Sequence, residues 1–253
     1  MNQVFGKFQE KGINELILDL RYNSGGAITT SIALSSMIAN QTSSDLFGKE
    51  EFNALIDSYF REAEGANYNK LFFQDRIEKY DMDGTVLERV AINKLTGLNR
   101  IHVLTSNRTA SASELVINGL QPYMNVVLIG TTTYGKNVGS VTLYEEDPQK
   151  QKNNTWGIQP IVVKFTNATH SSDYGNGFVP DVEAGEYQEL PLFLPLGDTE
   201  EVMLRTALIH IGVRAERSQQ NNNLRAEKTA TVSFRPVIST IDLTPARRNV
   251  FLD

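Results

Sequence analysis

The sequence of 253 residues contains no cysteine. Disulfides, thiolate nucleophiles, cysteine-ligated metals and iron–sulfur clusters are therefore excluded, and a chain without thiols suits an oxidising or a reducing compartment equally. Histidine is scarce, since only His102, His170 and His210 occur and none stands in HxH or HxxxH spacing. We therefore expect no metal site, and a histidine-based triad would have to use one of these three residues.

Long apolar runs and an excess of basic residues are also missing. No stretch approaches the roughly 20 apolar residues of a membrane span, and the first twenty residues lack the zones of a signal peptide. The chain carries 24 basic and 30 acidic residues, a net charge of −6. Nucleic-acid binding usually needs a concentrated basic face, so it is not expected here. The length fits one large domain or two small ones.

What is present is an alternation of short apolar runs, turn-rich loops and helical patterns. Apolar runs predict strands over residues 15–20, 100–106, 125–130, 140–144 and 156–168. Helical spacing predicts helices over 1–12, 27–40, 114–123 and 199–213. A strand, a glycine loop and a helix in succession form an α/β unit, so we predict an α/β fold with helices packed on mixed sheets.

Two stretches have weaker patterns. Within residues 41–98 we predict a helix over 50–63 and two strands, LFFQDRI and VLERVAI, on either side of an Asp83–Gly84 turn. We interpret this stretch as an insertion or edge hairpin in a core that spans 1–213. Residues 214–228 are polar and of low complexity, which is typical of a linker. Residues 229–253 are interpreted as a late strand or an extended tail.

Three loops that follow predicted buried strands could carry chemistry: RYNSGGA (21–27), TASASE (109–114) and TYGKNVG (133–139). Functional sites of α/β sheets gather at the carboxyl ends of such strands. In the second loop, Ser111 and Glu114 have the S-x-x-E spacing of a capping box, the simpler interpretation of this motif alone. A serine at a helix start also lies beside backbone N–H groups that can stabilise an oxyanion.

A serine nucleophile needs a base, and the three loops contain no histidine. They do contain Lys136, which follows the apolar strand NVVLIG. Burial disfavours the charged form of an amine, so a buried Lys136 could act as the base. The alternative is an ordinary solvated loop lysine. Gly25 and Gly26 either permit a tight turn or present an N–H group to an oxyanion, and their spacing fits neither the P-loop nor G-x-G-x-x-G.

Taken together and in this order, the three loops strongly resemble the S41 family of serine peptidases, the C-terminal processing or tail-specific proteases. That family's motifs have the forms DLRxNxGG, SASASE and TFGKG. This chain has DLRYNSGG at 19–26, TASASE at 109–114 and TYGK at 133–136, and GFVPDVE at 177–183 also resembles a family segment. The resemblance runs from about residue 1 to residue 213 and implies a crotonase/ClpP-like protease core.

The resemblance also implies roles for individual residues. Ser111 corresponds to the nucleophile, with Ser113 as the second candidate that more naturally supports the helix start. Lys136 corresponds to the general base. The oxyanion hole would use the N–H groups of Ala112 and of Gly26, with Gly25 left open. No cofactor or metal is implied, and the substrate would be a protein or peptide.

The chain departs from the family pattern after the lysine. Many members read Gly-Lys-Gly-x-Val-Gln, whereas this chain reads GKNVGSVT over 135–142. This looks like a two-residue insertion that puts Ser140 or Thr142 where a glutamine often orients the lysine. Members usually carry a PDZ domain before the DLR strand, so we expect a catalytic core without it. The family acts mostly in the bacterial cell envelope, which implies export directed by a missing N-terminal signal.

The expected function is therefore a serine endopeptidase that cleaves C-terminal or unfolded segments of proteins through a Ser–Lys dyad. One alternative is a non-catalytic protein of the same fold that binds a peptide or an apolar ligand. A further alternative is an acyl-CoA enzyme of the crotonase type, which would use backbone oxyanion holes without needing a serine and a lysine together.

Overall fold

The computed structural model describes residues 1–81, 85–146, 152–189 and 193–213. The five α-helices in these residues are α1 (Asn2–Glu10), α2 (Ile28–Ile38), α3 (Ala54–Glu64), α4 (Ala112–Leu120) and α5 (Val202–Ile211). A short 3-10 helix covers Glu186–Glu189. The strands are β1 (Ile17–Asp19), β2 (Leu46–Phe52), β3 (Lys70–Phe72), β4 (Arg76–Tyr80), β5 (Val86–Ala91), β6 (Arg100–Thr105), β7 (Asn125–Gly130), β8 (Val138–Ser140), β9 (Leu143–Glu146), β10 (Lys152–Ile158), β11 (Ile161–Asn167) and β12 (Val182–Glu183).

The first sheet is parallel and has the strand order β1-β6-β7-β12. Its register places Leu18 beside Val103, and Val103 beside Leu128. Because parallel strands need crossover connections, the chain leaves the sheet after β1 through a loop into α2, after β6 through a loop into α4, and after β7 through a loop into β8. The carboxyl ends of β1, β6 and β7 consequently meet at one edge of this sheet.

The second sheet is antiparallel, with the order β3-β2-β11-β8. The main core contains Phe47 of β2, Ile101 of β6, Ile117 of α4 and Phe165 of β11, all buried. Helices α2 and α4 contact one another, and α4 also contacts β2, β7 and β11. A smaller core forms where α5 packs on β6 and β7, around Met203. The predicted α/β class with mixed sheets is confirmed.

The predicted elements are present with several differences at their boundaries. The helix predicted over 50–63 begins at Ala54, because residues 50–52 pair with β11 as the end of β2. The predicted strand at 140–144 is divided between β8 and β9, and that at 156–168 is divided at Pro160, which cannot donate to a ladder. The LFFQDRI segment is likewise divided between β3 and β4.

The stretch 41–98 has two parts with different positions. The predicted hairpin is present as β4 and β5, which form a separate two-stranded sheet. Strand β2, in contrast, is an interior strand of the second sheet and not an edge element. The predicted turn at 83–84 and the predicted linker and tail at 214–253 lie outside the described residues.

Candidate active site

The three loops singled out in the sequence lie together at the carboxyl ends of β1, β6 and β7. Two backbone hydrogen bonds join them: the N–H of Ala110 donates to the carbonyl of Asn23 at 3.2 Å, and the N–H of Tyr134 donates to the carbonyl of Thr109 at 2.9 Å. The parallel register of the three strands brings these loops side by side.

Ser111 is the N-terminal capping residue of α4 and has an unusual backbone conformation. Its φ is 57° and its ψ is −119°. Such conformations cost on the order of 1–3 kcal/mol in a non-glycine residue and are maintained by the surrounding structure. Gly25 packs closely against this serine, since a Cβ added at Gly25 would lie 2.7 Å from the Cβ of Ser111. Only glycine fits at this contact, so Gly25 lets the first loop approach the serine.

Glu114 connects the serine to the loop that carries the lysine. Its buried carboxylate accepts the N–H of Ser111 at 2.9 Å, of Gly135 at 2.7 Å and of Lys136 at 2.8 Å, and the hydroxyl of Thr133 at 2.6 Å. The first of these bonds is the capping-box contact that the S-x-x-E spacing predicts. The other three were missed by the sequence reasoning, because their donors come from a different loop.

Ser111, Lys136, Gly26 and Ala112 all line one cavity of about 40 Å³. The rest of its lining includes the apolar or aromatic residues Ile28, Leu115, Val138, Phe165 and Tyr174. The structure therefore brings together the predicted nucleophile, the predicted base and the two predicted oxyanion donors. The surrounding apolar side chains limit solvation, which strengthens electrostatic interactions inside the cavity.

The two glycines of the first loop differ in their availability. The N–H of Gly25 donates to the side-chain oxygen of Asn23 at 2.9 Å, so it is already engaged within the loop. Gly26 lines the cavity, and apart from its two chain neighbours no residue has a heavy atom within 4 Å of the position that a Cβ would occupy there. This difference favours Gly26 over Gly25 as the oxyanion donor.

The three residues predicted to support the site, Ser113, Ser140 and Thr142, differ in whether they line the cavity. The hydroxyl of Ser113 is within hydrogen-bond distance of the carbonyl and the side-chain oxygen of Asn23, at 3.0 and 2.9 Å. Ser140 lines the cavity. Thr142 is not among the described residues that line it, and its hydroxyl accepts a hydrogen bond from the Gln159 side chain at 2.9 Å. Of the last two, Ser140 is therefore the one that lines the same cavity as Lys136.

The buried side chain of Arg21 joins the first loop to two acidic residues from later in the chain. Its side chain is only 1% exposed and makes two hydrogen bonds to Glu201, at 2.9 and 3.0 Å, with a further contact to Glu186 at 3.1 Å. Burial favours a higher pKa for Glu201, but hydrogen bonds from Arg21 and from two N–H groups of α5 outweigh it and lower the pKa. This pairing joins residues 180 positions apart, and the sequence motifs do not reveal it.

The histidines lie elsewhere. His102 and His210 contact each other at 3.1 Å between ring nitrogens, and His170 lies 3.3 Å from the Lys49 amine. None of the three is among the residues that line the cavity. The described residues contain no group of three or more potential metal ligands. None of their helices combines the length and apolar character needed to cross a membrane.

A serine at a strained helix start, sharing a cavity with a lysine and backbone N–H donors, is the arrangement of a serine-type peptidase site. The model of peptidase family S41 matches residues 1–184, and the chain belongs to this family.

Similar proteins carry related names. Carboxy-terminal processing protease CtpA of Bacillus subtilis strain 168 is 26% identical over 193 residues, which cover 76% of this chain and 33% of that protein. The chloroplastic carboxyl-terminal-processing peptidase 1 of Arabidopsis thaliana is 33% identical over 79 residues, 31% of this chain and 15% of that protein. The chain thus spans a third or less of the length of these relatives.

Solved structures agree with the fold. A crystal structure of a Bacteroides fragilis NCTC 9343 protein assigned to the S41 proteases superposes with a TM-score of 0.63 at 31% identity. The match covers 84% of this chain and 49% of that one.

Proposed function

We propose that this chain is the catalytic part of a serine endopeptidase that uses Ser111 as nucleophile and Lys136 as general base on C-terminal or unfolded segments of proteins. The observation that carries the proposal is the single cavity lined by Ser111, Lys136, Gly26 and Ala112. A binding protein needs neither a strained serine nor a lysine beside it, so this cavity favours catalysis over the non-catalytic alternative.

In the first half of the reaction, the amine of Lys136 takes the proton of the Ser111 hydroxyl as the hydroxyl oxygen attacks the peptide carbonyl. The N–H groups of Gly26 and Ala112 donate to the oxyanion that forms. Lys136 then returns the proton to the amine of the leaving segment as the C–N bond breaks. The product of this half is an ester between Ser111 and the remaining segment.

In the second half, Lys136 takes a proton from water as the water oxygen attacks the ester carbonyl. The same N–H groups hold the second oxyanion, and the proton returns to the Ser111 oxygen as the ester bond breaks. Glu114 supports both halves, because it holds the backbone N–H groups of Ser111 and Lys136 on one carboxylate oxygen.

A digest of an unfolded test protein, followed by mass spectrometry, tests the proposal. Wild type should release fragments, whereas Ser111→Ala and Lys136→Ala should release almost none. Ser44→Ala and Lys11→Ala, both at exposed positions away from the cavity, are the matched controls and should cleave as wild type does. Wild-type cleavage by Lys136→Ala would contradict the dyad. Thioester hydrolysis without proteolysis would favour the crotonase-type alternative.

The envelope location implied by the family resemblance remains a prediction, which fractionation of cells that carry the full-length gene product would check.

A further inference from the structure

Tyr174 lines the same cavity as Ser111 and Lys136, and the reaction steps above do not use it. Its side chain is only 1% exposed, and its ring stacks on that of Phe178 with 4.7 Å between the ring centroids. Among the described residues, its hydroxyl has no hydrogen-bond partner. Leaving a buried polar group without a partner costs free energy. A hydroxyl kept in this state beside reactive groups therefore indicates a partner that arrives with the reaction.

Tyr174 lies against the loop that carries the predicted base. Two hydrogen bonds join its segment to that loop, one on each side of the tyrosine. The Asn137 side chain donates to the carbonyl of Ser172 at 2.8 Å, and the N–H of Phe178 donates to the hydroxyl of Thr133 at 2.7 Å. Because these contacts enclose Tyr174 on one segment and the lysine on the other, the tyrosine occupies the lysine side of the cavity.

The Tyr174 hydroxyl keeps its proton at neutral pH. Burial, with a smaller contribution from the charge of Glu114, raises the pKa of this hydroxyl above its ordinary value of 10.0. A protonated phenol can both donate and accept a hydrogen bond. It is not itself a base, so it can hold a reacting molecule in place without competing with Lys136 for a proton.

The size of the cavity favours a small occupant. Its volume of about 40 Å³ exceeds the roughly 10–15 Å³ that one water molecule needs, and a water held in a cavity needs at least two polar partners. Once Ser111 carries the ester, Lys136 supplies one partner. Tyr174 and Ser140 are the candidates for the second. Tyr174 is favoured because its hydroxyl is buried without a partner, whereas Ser140 is only partly buried.

We propose that the Tyr174 hydroxyl positions the water that hydrolyses the ester on Ser111, which makes Tyr174 a further catalytic residue. This rests on the proposed function. As Lys136 takes one hydrogen of the water, the phenol oxygen accepts a hydrogen bond from the other, which aims the water oxygen at the ester carbonyl. That oxygen bonds to the carbonyl carbon, and the Ser111 oxygen leaves with the proton held by Lys136. The Tyr174 proton does not move.

The test uses Tyr174→Phe and the para-nitrophenyl ester of a peptide that ends at a bond cleaved in the digest. Nitrophenol leaves when the ester forms on Ser111, so the initial burst reports the first half of the reaction, and the steady rate reports removal of the acyl group by water. Tyr174→Phe should keep the burst, whereas its steady rate should fall about tenfold, because one hydrogen bond to the water is lost.

Two further readouts separate this role from a structural one. The Ser111 ester should accumulate in Tyr174→Phe, which the mass spectrum of the intact protein shows. Since kcat/KM reports only the steps up to the ester, kcat and KM should fall together and leave kcat/KM unchanged. The variant keeps the ring that stacks on Phe178 and loses only an unpartnered hydroxyl, so its thermal unfolding should not occur below that of wild type.

The matched control is Tyr123→Phe. The Tyr123 hydroxyl donates to the carbonyl of Leu46, and Tyr123 does not line the cavity. Both phases should therefore match those of wild type. An equal fall of the steady rate in this control would overturn the proposal, because the effect would then not be specific to the cavity.

The remaining outcomes distinguish this proposal from the peptidase itself. A steady rate in Tyr174→Phe equal to that of wild type, or a slower burst, overturns the role of Tyr174 alone. Ester accumulation in Ser140→Ala but not in Tyr174→Phe would assign the water to Ser140 and overturn it as well. A wild type that forms no ester on Ser111 and turns over neither ester nor peptide overturns the peptidase, and this proposal with it.

Discussion

Two cavities among the described residues are built in opposite ways. The cavity lined by Ser111 and Lys136 lies at the ends of the parallel strands and is positioned by polar contacts, among them the four hydrogen bonds to the Glu114 carboxylate. A second cavity, of about 350 Å³, lies between α3 and the antiparallel sheet and is lined by apolar and aromatic side chains, among them Leu55 and Tyr59 of α3. Hydrogen bonds fix atoms to fractions of an ångström, which bond-breaking chemistry needs, whereas apolar packing is less directional and tolerates varied ligands.

The largest expected effect is on the reacting pair. Ser111→Ala and Lys136→Ala should each lower kcat/KM by at least about 10³-fold, and the double variant should be no worse than either single one, because the two groups act as one unit. Steady-state kinetics on one peptide measure all three variants. Additive losses in the double variant would show that the two side chains act independently.

The next effect concerns the connection that Glu114 makes between the loops of Ser111 and Lys136. Glu114→Gln keeps the shape of the side chain but replaces one accepting oxygen by a donor, so at least one N–H of Ser111, Gly135 or Lys136 loses its partner. Displacement of catalytic groups by about 1 Å can cost about 10²-fold in rate, and we expect a loss of kcat near this size. Thermal unfolding of the same sample should show a folded protein. An unchanged kcat would mean that Glu114 has no positioning role.

The buried ion pair behind the first loop should affect stability strongly. Arg21→Met leaves the Glu201 carboxylate buried without its bidentate partner, which costs about 3–5 kcal/mol in the free energy of unfolding. Denaturant titration of wild type and Arg21→Met measures this difference in the free energy of unfolding. Arg61→Met removes an exposed pair with Asp57 on α3 and should change the free energy by less than about 1 kcal/mol. Similar losses in both variants would contradict the distinction between a buried network and a solvated helix.

The antiparallel sheet has its own pH-dependent element. Burial, with a smaller contribution from the charge of Glu64, raises the pKa of Glu50 from its ordinary value of 4.5 to about 7. Between about pH 4.5 and pH 7, the side chain of Glu50 is therefore mostly protonated in the folded state and mostly ionised in the unfolded state. The contribution of Glu50 to stability is therefore fully present below about pH 4.5 and is lost as the pH rises through about 7.

Glu50→Gln imitates the protonated side chain and should become more stable than wild type as the pH rises from 5 to 8. The gain should reach at most about 3 kcal/mol, the free energy that corresponds to this change in pKa. Unfolding titrations at several pH values give the difference between the two proteins. Glu51→Gln, which removes a carboxylate at the exposed neighbouring position, is the control. A stability difference between Glu50→Gln and wild type that does not vary with pH would contradict the burial argument.

Sequence reasoning succeeded where the information is local. The succession of apolar runs and turn-rich loops predicts β1, β6 and β7 and the helices α2 and α4, since a buried strand followed by a loop and a helix is encoded in neighbouring residues. It was wrong at residues 50–52, where a helical pattern yields to pairing with β11. It also treated β2 as peripheral, because nothing in residues 41–98 announces a partner more than 100 positions further along the chain.

For this protein, the sequence alone determined the family, the succession of elements and the identity of the candidate nucleophile and base. These depend on short motifs in which residue type and spacing are sufficient. The tertiary structure alone decided which carboxylate joins the loops of Ser111 and Lys136, how Glu201 reaches Arg21, and that α3 forms a groove on the antiparallel sheet. Each of these is a contact between segments distant in the chain, and such contacts exist only after the two sheets have packed.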